Sequence, residues 1–373
     1  MDKKIIFALS AGMLAVSACT INAQSNYSVT ANVPAEKNNT MAYLLNWDNG
    51  QKVDSVIVAD GQAKFSGNSQ SPFIGRLVVD GARGPIFIVE EGNVALSPEG
   101  VASGTPLNAK METYAKRMKE IVGEYQNIDQ NDSTQMPKAK ALQAEYEAIP
   151  SKAYSENKGN ALGLYYFLQM AYEMDLAQID AAIAADANLA SSGRVQTLRN
   201  SLLARAETSE GKHYKDFSVT YNGKTEKLSD YVKPGRYTLV DFWASWCGPC
   251  IRQTKVIKEL YAKYKDMGLD VLGVAVWDEP DNTLKAIKSH GLDWPCIINA
   301  QNVPTDLYGI TGIPCIILIN PEGIIVSRDK QSQALIDDVD KAMSTYEPQA
   351  LVIPATTSAN DTAAVNTDTN VIF

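Results

Sequence analysis

The chain has 373 residues, room for two or three domains, and 45 % apolar content argues against a mostly disordered protein. Its formal net charge of −9, with no long Lys/Arg run, excludes a phosphate-neutralising nucleic-acid binder. Two histidines, His213 and His290, leave little for histidine metal sites or histidine-dependent triads, whereas five cysteines, two of them spaced Cys-x-x-Cys, offer chemistry.

Residues 1–23 read as an export signal. Lys3 and Lys4 precede a short apolar run from Ile5 to Val16, too short to span a bilayer comfortably. Two processing patterns compete. Val16-Ser17-Ala18-Cys19 resembles a lipobox, with the signal ending at residue 18 and Cys19 carrying a lipid. Ile21-Asn22-Ala23 is the alternative cleavage region. Either way the expected location is the periplasm or cell envelope, and a lipid anchor at Cys19 is the one membrane attachment expected. An oxidising envelope makes a cysteine pair disulfide-competent.

Residues 26–106 predict a β-rich, antiparallel, sandwich-like domain. Tyr27–Val33, Met41–Trp47, Lys52–Ala59, Phe73–Val79 and Pro85–Val89 are strand-like, and Asn49-Gly50, Asp60-Gly61 and Asp80-Gly81 are turn signals. No catalytic constellation stands out there. Residues 107–208 predict a helical region, with apolar residues at three- and four-residue spacing in Asn108–Asn127, Pro137–Ile149, Ala161–Met174, Gln178–Ala187 and Ser192–Glu207.

Residues 209–346 alternate strand and helix. Apolar strands at Tyr237–Trp243, Leu269–Val276 and Cys315–Ile319 predict an α/β sheet covered on both faces. Residues 347–373 are rich in Thr, Ala, Asn and Asp and read as a disordered tail.

The strongest motif is Trp246-Cys247-Gly248-Pro249-Cys250, which follows a buried strand and opens a helix. Unpaired N–H groups at a helix N-terminus favour negative charge and give Cys247 thiolate character. Pro249 suits the first turn, where its missing N–H costs nothing. Cys247 is expected to be exposed and to attack; Cys250, one turn inward, resolves the mixed disulfide. A structural disulfide across one turn restrains little. Zinc requires Cys296 and Cys315 to converge on the pair at a spacing that matches no common zinc pattern, so no metal is expected.

With these residues in view, residues 217–345 resemble the thioredoxin superfamily, specifically exported thiol-disulfide oxidoreductases of the TlpA/ResA type. The likeness rests on Leu239 to Cys250, on Tyr308-Gly309-Ile310-Thr311-Gly312-Ile313-Pro314 and on Leu318-Ile319-Asn320-Pro321-Glu322-Gly323. It implies a thioredoxin-like fold in which Cys247 is the nucleophile and Cys250 the resolving thiol. Ile313-Pro314 matches the cis-proline beside the disulfide, with Trp246, Gly248 and Pro249 in support. Asp241, six residues before Cys247, matches a buried acid that moves protons for the resolving thiol; a carboxylate amid Leu239, Val240, Phe242 and Trp243 is costly to bury and should hold its proton tightly. The alternative is an acid pointing to solvent from the sheet edge. Residues 26–106 resemble, more loosely, a β-rich domain of unknown function found ahead of such modules, through Asp54-Ser55, Gly61, Phe65-x-Gly67 and Gly104–Asn108.

Three positions depart from the family pattern. Lys255 stands where a helix-kinking proline is common, Gln253 where TlpA-type proteins often have Glu, and the strand Val271–Val276 lacks the lysine often found near the buried acid. Cys296 and Cys315 read either as small buried hydrophobes or as a second pair of redox thiols.

The expected function is reduction of protein disulfides in the envelope, with no cofactor beyond the Cys247–Cys250 disulfide. No nicotinamide or flavin fingerprint is present, so a separate thiol protein is the expected electron donor. The alternatives are a disulfide oxidant or isomerase on the same fold, a thiol peroxidase using Arg252 and Thr254, and a partner- or ligand-binding protein in which the redox module is accessory.

Overall fold

The computed structural model describes residues 25–129 and 131–346. The export signal, Cys19 and the tail beyond residue 346 lie outside the described residues. No helix among them is long and apolar enough to cross a membrane. Two compact units divide between Arg199 and Asn200, rather than at the 208/209 boundary expected from sequence.

The first unit opens with eight strands: β1 (Tyr27–Asn32), β2 (Met41–Asn46), β3 (Lys52–Ile57), β4 (Gln62–Gly67), β5 (Phe73–Val79), β6 (Ala82–Val89), β7 (Gly92–Leu96) and β8 (Ala102–Ser103). They form two four-stranded sheets, ordered β4-β1-β7-β8 and β3-β2-β5-β6. Alternation along each strand sends Val29, Ala31, Phe65 and Leu96 from one sheet, and Leu44, Leu77, Phe87 and Val89 from the other, into a shared core. The pairing is antiparallel except between β1 and β7, which run parallel.

Six helices follow: α1 (Pro106–Gln126), α2 (Met136–Glu156), α3 (Ala161–Ala171), α4 (Leu176–Ala185), α5 (Ala187–Ser191) and α6 (Gly193–Glu207), within which the division between units falls. The buried Asn108 of α1 accepts from the Ile88 N–H and donates to the Ile88 carbonyl, at 2.9 and 2.7 Å, in place of a neighbouring strand. The Asp48 carboxylate, far off in sequence, caps the start of α6. It accepts from Ser192 Oγ (2.6 Å), Gly193 N (2.9 Å) and Arg194 N (3.1 Å).

The second unit carries a small hairpin, β9 (Ser218–Tyr221) and β10 (Lys224–Lys227). Next come β11 (Tyr237–Trp243), α7 (Gly248–Tyr264), β12 (Leu269–Ala275), α8 (Pro280–His290), β13 (Cys296–Ile297), α9 (Val303–Tyr308), β14 (Cys315–Ile319), β15 (Ile325–Arg328) and α10 (Ser332–Ser344). The five-stranded sheet has the order β13-β12-β11-β14-β15, with β11, β12 and β13 parallel and β14 antiparallel to both of its neighbours, β11 and β15. Because β11 is central and covered on both faces, its residues split by parity. Val240 and Phe242 join one core with Leu272, Val274, Tyr308 and Ile317. Leu239 joins the other with Ile257 and Leu260 of α7 and Leu335 and Val339 of α10.

Replacing Asp48 by Ala leaves three donors at the start of α6 without their acceptor. The expected cost is about 1–2 kcal/mol, or a few degrees in the midpoint of thermal unfolding. Circular dichroism melts of wild type and Asp48→Ala check this; superimposable melts would remove Asp48 from the determinants of the first unit's stability.

Candidate active site

The buried strand β11 ends at Trp243, and a short loop, Ala244–Trp246, leads into α7. Cys247 is the N-cap of that helix, and the Cys250 N–H donates to its sulfur at 3.1 Å. Cys247 and Cys250 are joined by a disulfide. Pro249 occupies the first turn, as its missing donor allows. Across the loop, Ile313-Pro314 is cis, and the Ile313 carbonyl oxygen lies 3.7 Å from Cys247 Sγ.

The expectation that Cys247 is exposed is corrected: it is 3 % exposed, against 0 % for Cys250. What solvent meets first is Trp246, 61 % exposed, together with Gly248 and Pro249. Cys247 clusters with Trp243, Cys250 and Ala286, with Ile313 packed alongside. A substrate therefore has to reach the sulfur through this rim.

Asp241 lies in the middle of β11, opposite Gly273 on one side and Ile316 on the other. It is 3 % exposed, so the solvent-facing alternative does not hold. Its Oδ1 has no hydrogen-bond partner among the described residues. Burial pushes its carboxyl from 3.8 up to about 7. No lysine could stand at Gly273, because a Cβ there would sit 2.7 Å from Cys296 Sγ and 3.1 Å from Trp243 Nε1. That space is filled by the thiol and two indoles, and the indole N–H groups of Trp243 and Trp294 are themselves without acceptors among the described residues.

The other two departures have equally local consequences. Gln253 is buried and spent on the start of α10: its Oε1 accepts from Ser332 N at 2.8 Å and its Nε2 donates to Ser332 Oγ at 3.2 Å. Lys255 is exposed on a helix that runs unbroken from Gly248 to Tyr264.

Cys296 and Cys315 are both free thiols and do not pair. They lie on β13 and β14, with β12 and β11 between them. Three strand spacings amount to about 14 Å, twice the Cα separation a disulfide tolerates. Cys315 also belongs to the core that Phe242 faces, whereas Cys250 lies with Trp243 on the opposite side of the sheet. The second redox pair is thus corrected to two separate thiols, Cys315 buried and Cys296 partly buried, and their separation equally removes the four-cysteine zinc arrangement. Burial pushes the Cys296 thiol up to about 12, with the Asp241 charge adding to it, and burial raises Cys315 further. Of the groups weighed for peroxide chemistry, Thr254 turns its hydroxyl back to the Cys250 carbonyl at 3.3 Å, and Arg252 is exposed.

Sequence reasoning did not single out Trp277, Asp278 and Asn302. The buried Asp278 carboxylate accepts from Ser245 N, Ser245 Oγ and Thr283 Oγ1, each at 2.8 Å, and so holds the loop that delivers Cys247. The Trp246 indole donates to the Trp277 carbonyl at 3.0 Å, and the Trp277 indole donates to Asn302 Oδ1 at 2.8 Å. The available signal was positional: an acid just past the end of a buried parallel strand, where neighbouring strand-to-helix loops meet.

Comparison with known proteins places two matches along the chain. A family model described as the AhpC/TSA family matches residues 211–328, and one described as a domain of unknown function, DUF4369, matches residues 27–111. The thiol-disulfide oxidoreductase ResA of Bacillus subtilis is 30 % identical over 132 residues, covering 35 % of this chain and 73 % of the relative. ResA of Bacillus cereus is 31 % identical over 140 residues, covering 37 % and 79 %. Among solved structures, a thiol-disulfide oxidoreductase from Bacteroides fragilis is 30 % identical, covering 35 % of this chain and 98 % of its own, with a TM-score of 0.32.

Two tests follow from the site's electrostatics. Below about pH 3.8 the Asp241 carboxyl is neutral whether folded or not. Between there and about pH 7 the unfolded chain ionises while the fold retains the proton, so stability falls as pH rises; above about 7 the loss is complete. At about 1.4 kcal/mol per pH unit the full effect is on the order of 4 kcal/mol. Asp241→Asn should therefore raise the unfolding midpoint far more at pH 8 than at pH 4, and an equal shift at both would contradict the assigned proton affinity. In the reduced folded protein, iodoacetamide at pH 7.5 should leave Cys296 and Cys315 unlabelled until denaturant is added, which peptide mapping reads directly.

Proposed function

From its membership in the thiol-disulfide oxidoreductase family of ResA, to which this chain belongs, we propose that it reduces protein disulfides in the cell envelope through Cys247 and Cys250. The observation that carries this reading is the placement of Cys247 at the N-cap of α7, with the Cys250 N–H on its sulfur. The same N–H and the helix dipole stabilise a thiolate there once the disulfide is reduced.

In the reduced protein the Cys247 thiolate attacks one sulfur of a substrate disulfide. A Cys247–substrate mixed disulfide forms and the other substrate sulfur leaves as a thiolate. The Cys250 thiol then loses its proton to the Asp241 carboxylate and attacks Cys247 Sγ. The substrate leaves as a dithiol, its two sulfurs taking up the proton held by Asp241 and one from solvent, and the Cys247–Cys250 disulfide remains. Asp241 suits this step because its proton affinity lies near neutrality, where both forms are populated. The Ile313 carbonyl beside cis-Pro314 offers a backbone acceptor to an extended substrate segment at the sulfur. Two electrons pass per cycle, so a separate envelope thiol protein has to return the pair to its reduced form. Export, with or without a lipid on Cys19, would bring the module to its substrates; the signal pattern of residues 1–23 supports this.

Gly-Pro between the cysteines resembles reducing thioredoxins and supports the reductive direction over the oxidant or isomerase reading. Titration in graded redox buffers, with trapped thiols located by mass spectrometry, tests it: a midpoint near about −270 mV is expected, and one near about −120 mV would reverse the direction. Cys247→Ser should abolish turnover, while Cys250→Ser should accumulate the mixed disulfide with substrate on non-reducing gels. Failure of Cys250→Ser to trap any partner would remove its resolving role.

A further inference from the structure

We propose that the outer face of the β3-β2-β5-β6 sheet carries a phosphate-binding site, in which Arg76, Arg83 and Arg194 together take one phosphate group, free or as a monoester. The site lies wholly in the first unit and does not depend on the redox reading of Cys247.

Strand register places two of the three arginines. Leu77 and Val79 of β5 turn toward the sandwich core, so Arg76 and Val78 turn to the outer face. Arg76 stands opposite Leu45 of β2 and Ile86 of β6, in the middle of that face. Arg83 stands opposite Val78, past a bulge, and so shares the face with Arg76. Trp47 fixes the third. It follows β2, and its N–H donates to the Ile74 carbonyl at 2.8 Å. Its own carbonyl accepts from Arg194 Nε at 2.7 Å, and the guanidinium lies over its indole, 4.0 Å from the ring centroid. Tyr165 of α3, the helix packed against β5, meets the same indole with ring centroids 6.1 Å apart. Held by Nε and by one face, Arg194 keeps both terminal nitrogens without a hydrogen-bond partner among the described residues.

These arginines have no internal counter-charge. The first unit, ending at Arg199, holds two others, and both are paired: Arg117 with Glu120, Glu124 and Glu145, and Arg199 with Asp180. Arg76, Arg83 and Arg194 make no ion pair among the described residues. The Arg76 Nε is buried and has no hydrogen-bond partner among them. Two acids that flank these elements in sequence are already spent, Asp48 on the start of α6 and Asp80 on Lys37 at 2.9 Å. Burial holds the Arg76 guanidinium below the ordinary arginine value, the charges of Arg83 and Arg194 push the same way, and the Tyr165 phenol opposes them.

Like charges gathered without an acid repel one another, and an oxyanion supplies what they lack. A carboxylate brings one charge and two oxygens. A phosphate monoester brings a charge of about −1.5 to −2 and three acceptor oxygens, and so matches three guanidiniums better. It also provides an acceptor for the buried Arg76 Nε. Arg76 and Arg194 are half-buried and Arg83 is exposed, so the site has a fixed floor and an open side. Three arginines at one place suit a single phosphate group, unlike the extended run of charge that a nucleic-acid backbone needs.

The test uses the full chain in a buffer free of phosphate and sulfate. Isothermal titration with inorganic phosphate and with glycerol 3-phosphate should show a single site, and acetate should bind at least about tenfold more weakly, because one carboxylate leaves charge unmatched. Flotation with phosphatidylcholine vesicles, with and without phosphatidic acid, separates the sources. Binding only to the acidic vesicles marks a lipid headgroup, and binding to the soluble compounds alone marks a free phosphate or its ester. Arg76→Gln should weaken binding about tenfold or more, the scale of a lost charged hydrogen bond. Arg83→Gln, at an exposed position, should weaken it by a smaller factor without lowering the unfolding midpoint, since it removes a like charge. That second variant keeps binding distinct from any folding defect in the first. Failure of wild type to bind phosphate, the ester and the acidic vesicles alike would overturn the proposal. Acetate binding as tightly as phosphate would do the same, as would wild-type affinity in both arginine variants.

Discussion

The junction between β11 and α7 is the constraint on which the redox unit depends. A strand buried on both faces and paired on both edges cannot shift register without moving every neighbour. Its end at Trp243 therefore fixes where the next helix begins, and the short connection fixes Cys247 as the cap of that helix. Once the sulfur is located, the cis turn at Ile313-Pro314 and the Asp278 brace become parts of a frame around one point.

The same strand carries the frame's main cost. Asp241 is enclosed because it shares a face with Leu239 and Trp243, and the sheet offers its Oδ1 no partner among the described residues. Proteins commonly offset a buried acid with a cation, but here Gly273 leaves room only for Cys296 and two indoles. An uncompensated carboxyl is a poor stabiliser, and with its proton affinity near neutrality both of its forms are populated there.

Much of this was legible in the sequence, for physical reasons that differ from residue to residue. The Cys-x-x-Cys spacing, Pro249 and the preceding apolar strand are local, and local patterns fix a helix start. Asp241 was legible because a carboxylate inside an apolar strand has few fates. Strand β4 was hidden: in Gln62–Gly67 only Ala63 and Phe65 turn inward, and its flanking glycines read as turns. Strand β7 begins with glycine and pairs parallel to β1, a long-range choice that no local alternation encodes. The burial of Cys247 depends on its packing with Ala286 and Ile313, and the separation of Cys296 from Cys315 on strand order. Neither is written in a window of a dozen residues.

Arg328, at the end of β15, is 7 % exposed. Its guanidinium donates to the carbonyl and hydroxyl of Thr208, at 2.8 and 2.6 Å, and to the Tyr308 carbonyl at 2.6 Å. Thr208 belongs to the last residues of the helical stretch, upstream of the point where the family match begins at residue 211. A buried cation stripped of two of its three acceptors carries a desolvation penalty that the rest of the unit has to absorb. The smallest piece of this chain able to stand alone as a redox module therefore starts before Thr208, and its ancestry along the sequence and its physical integrity have different edges.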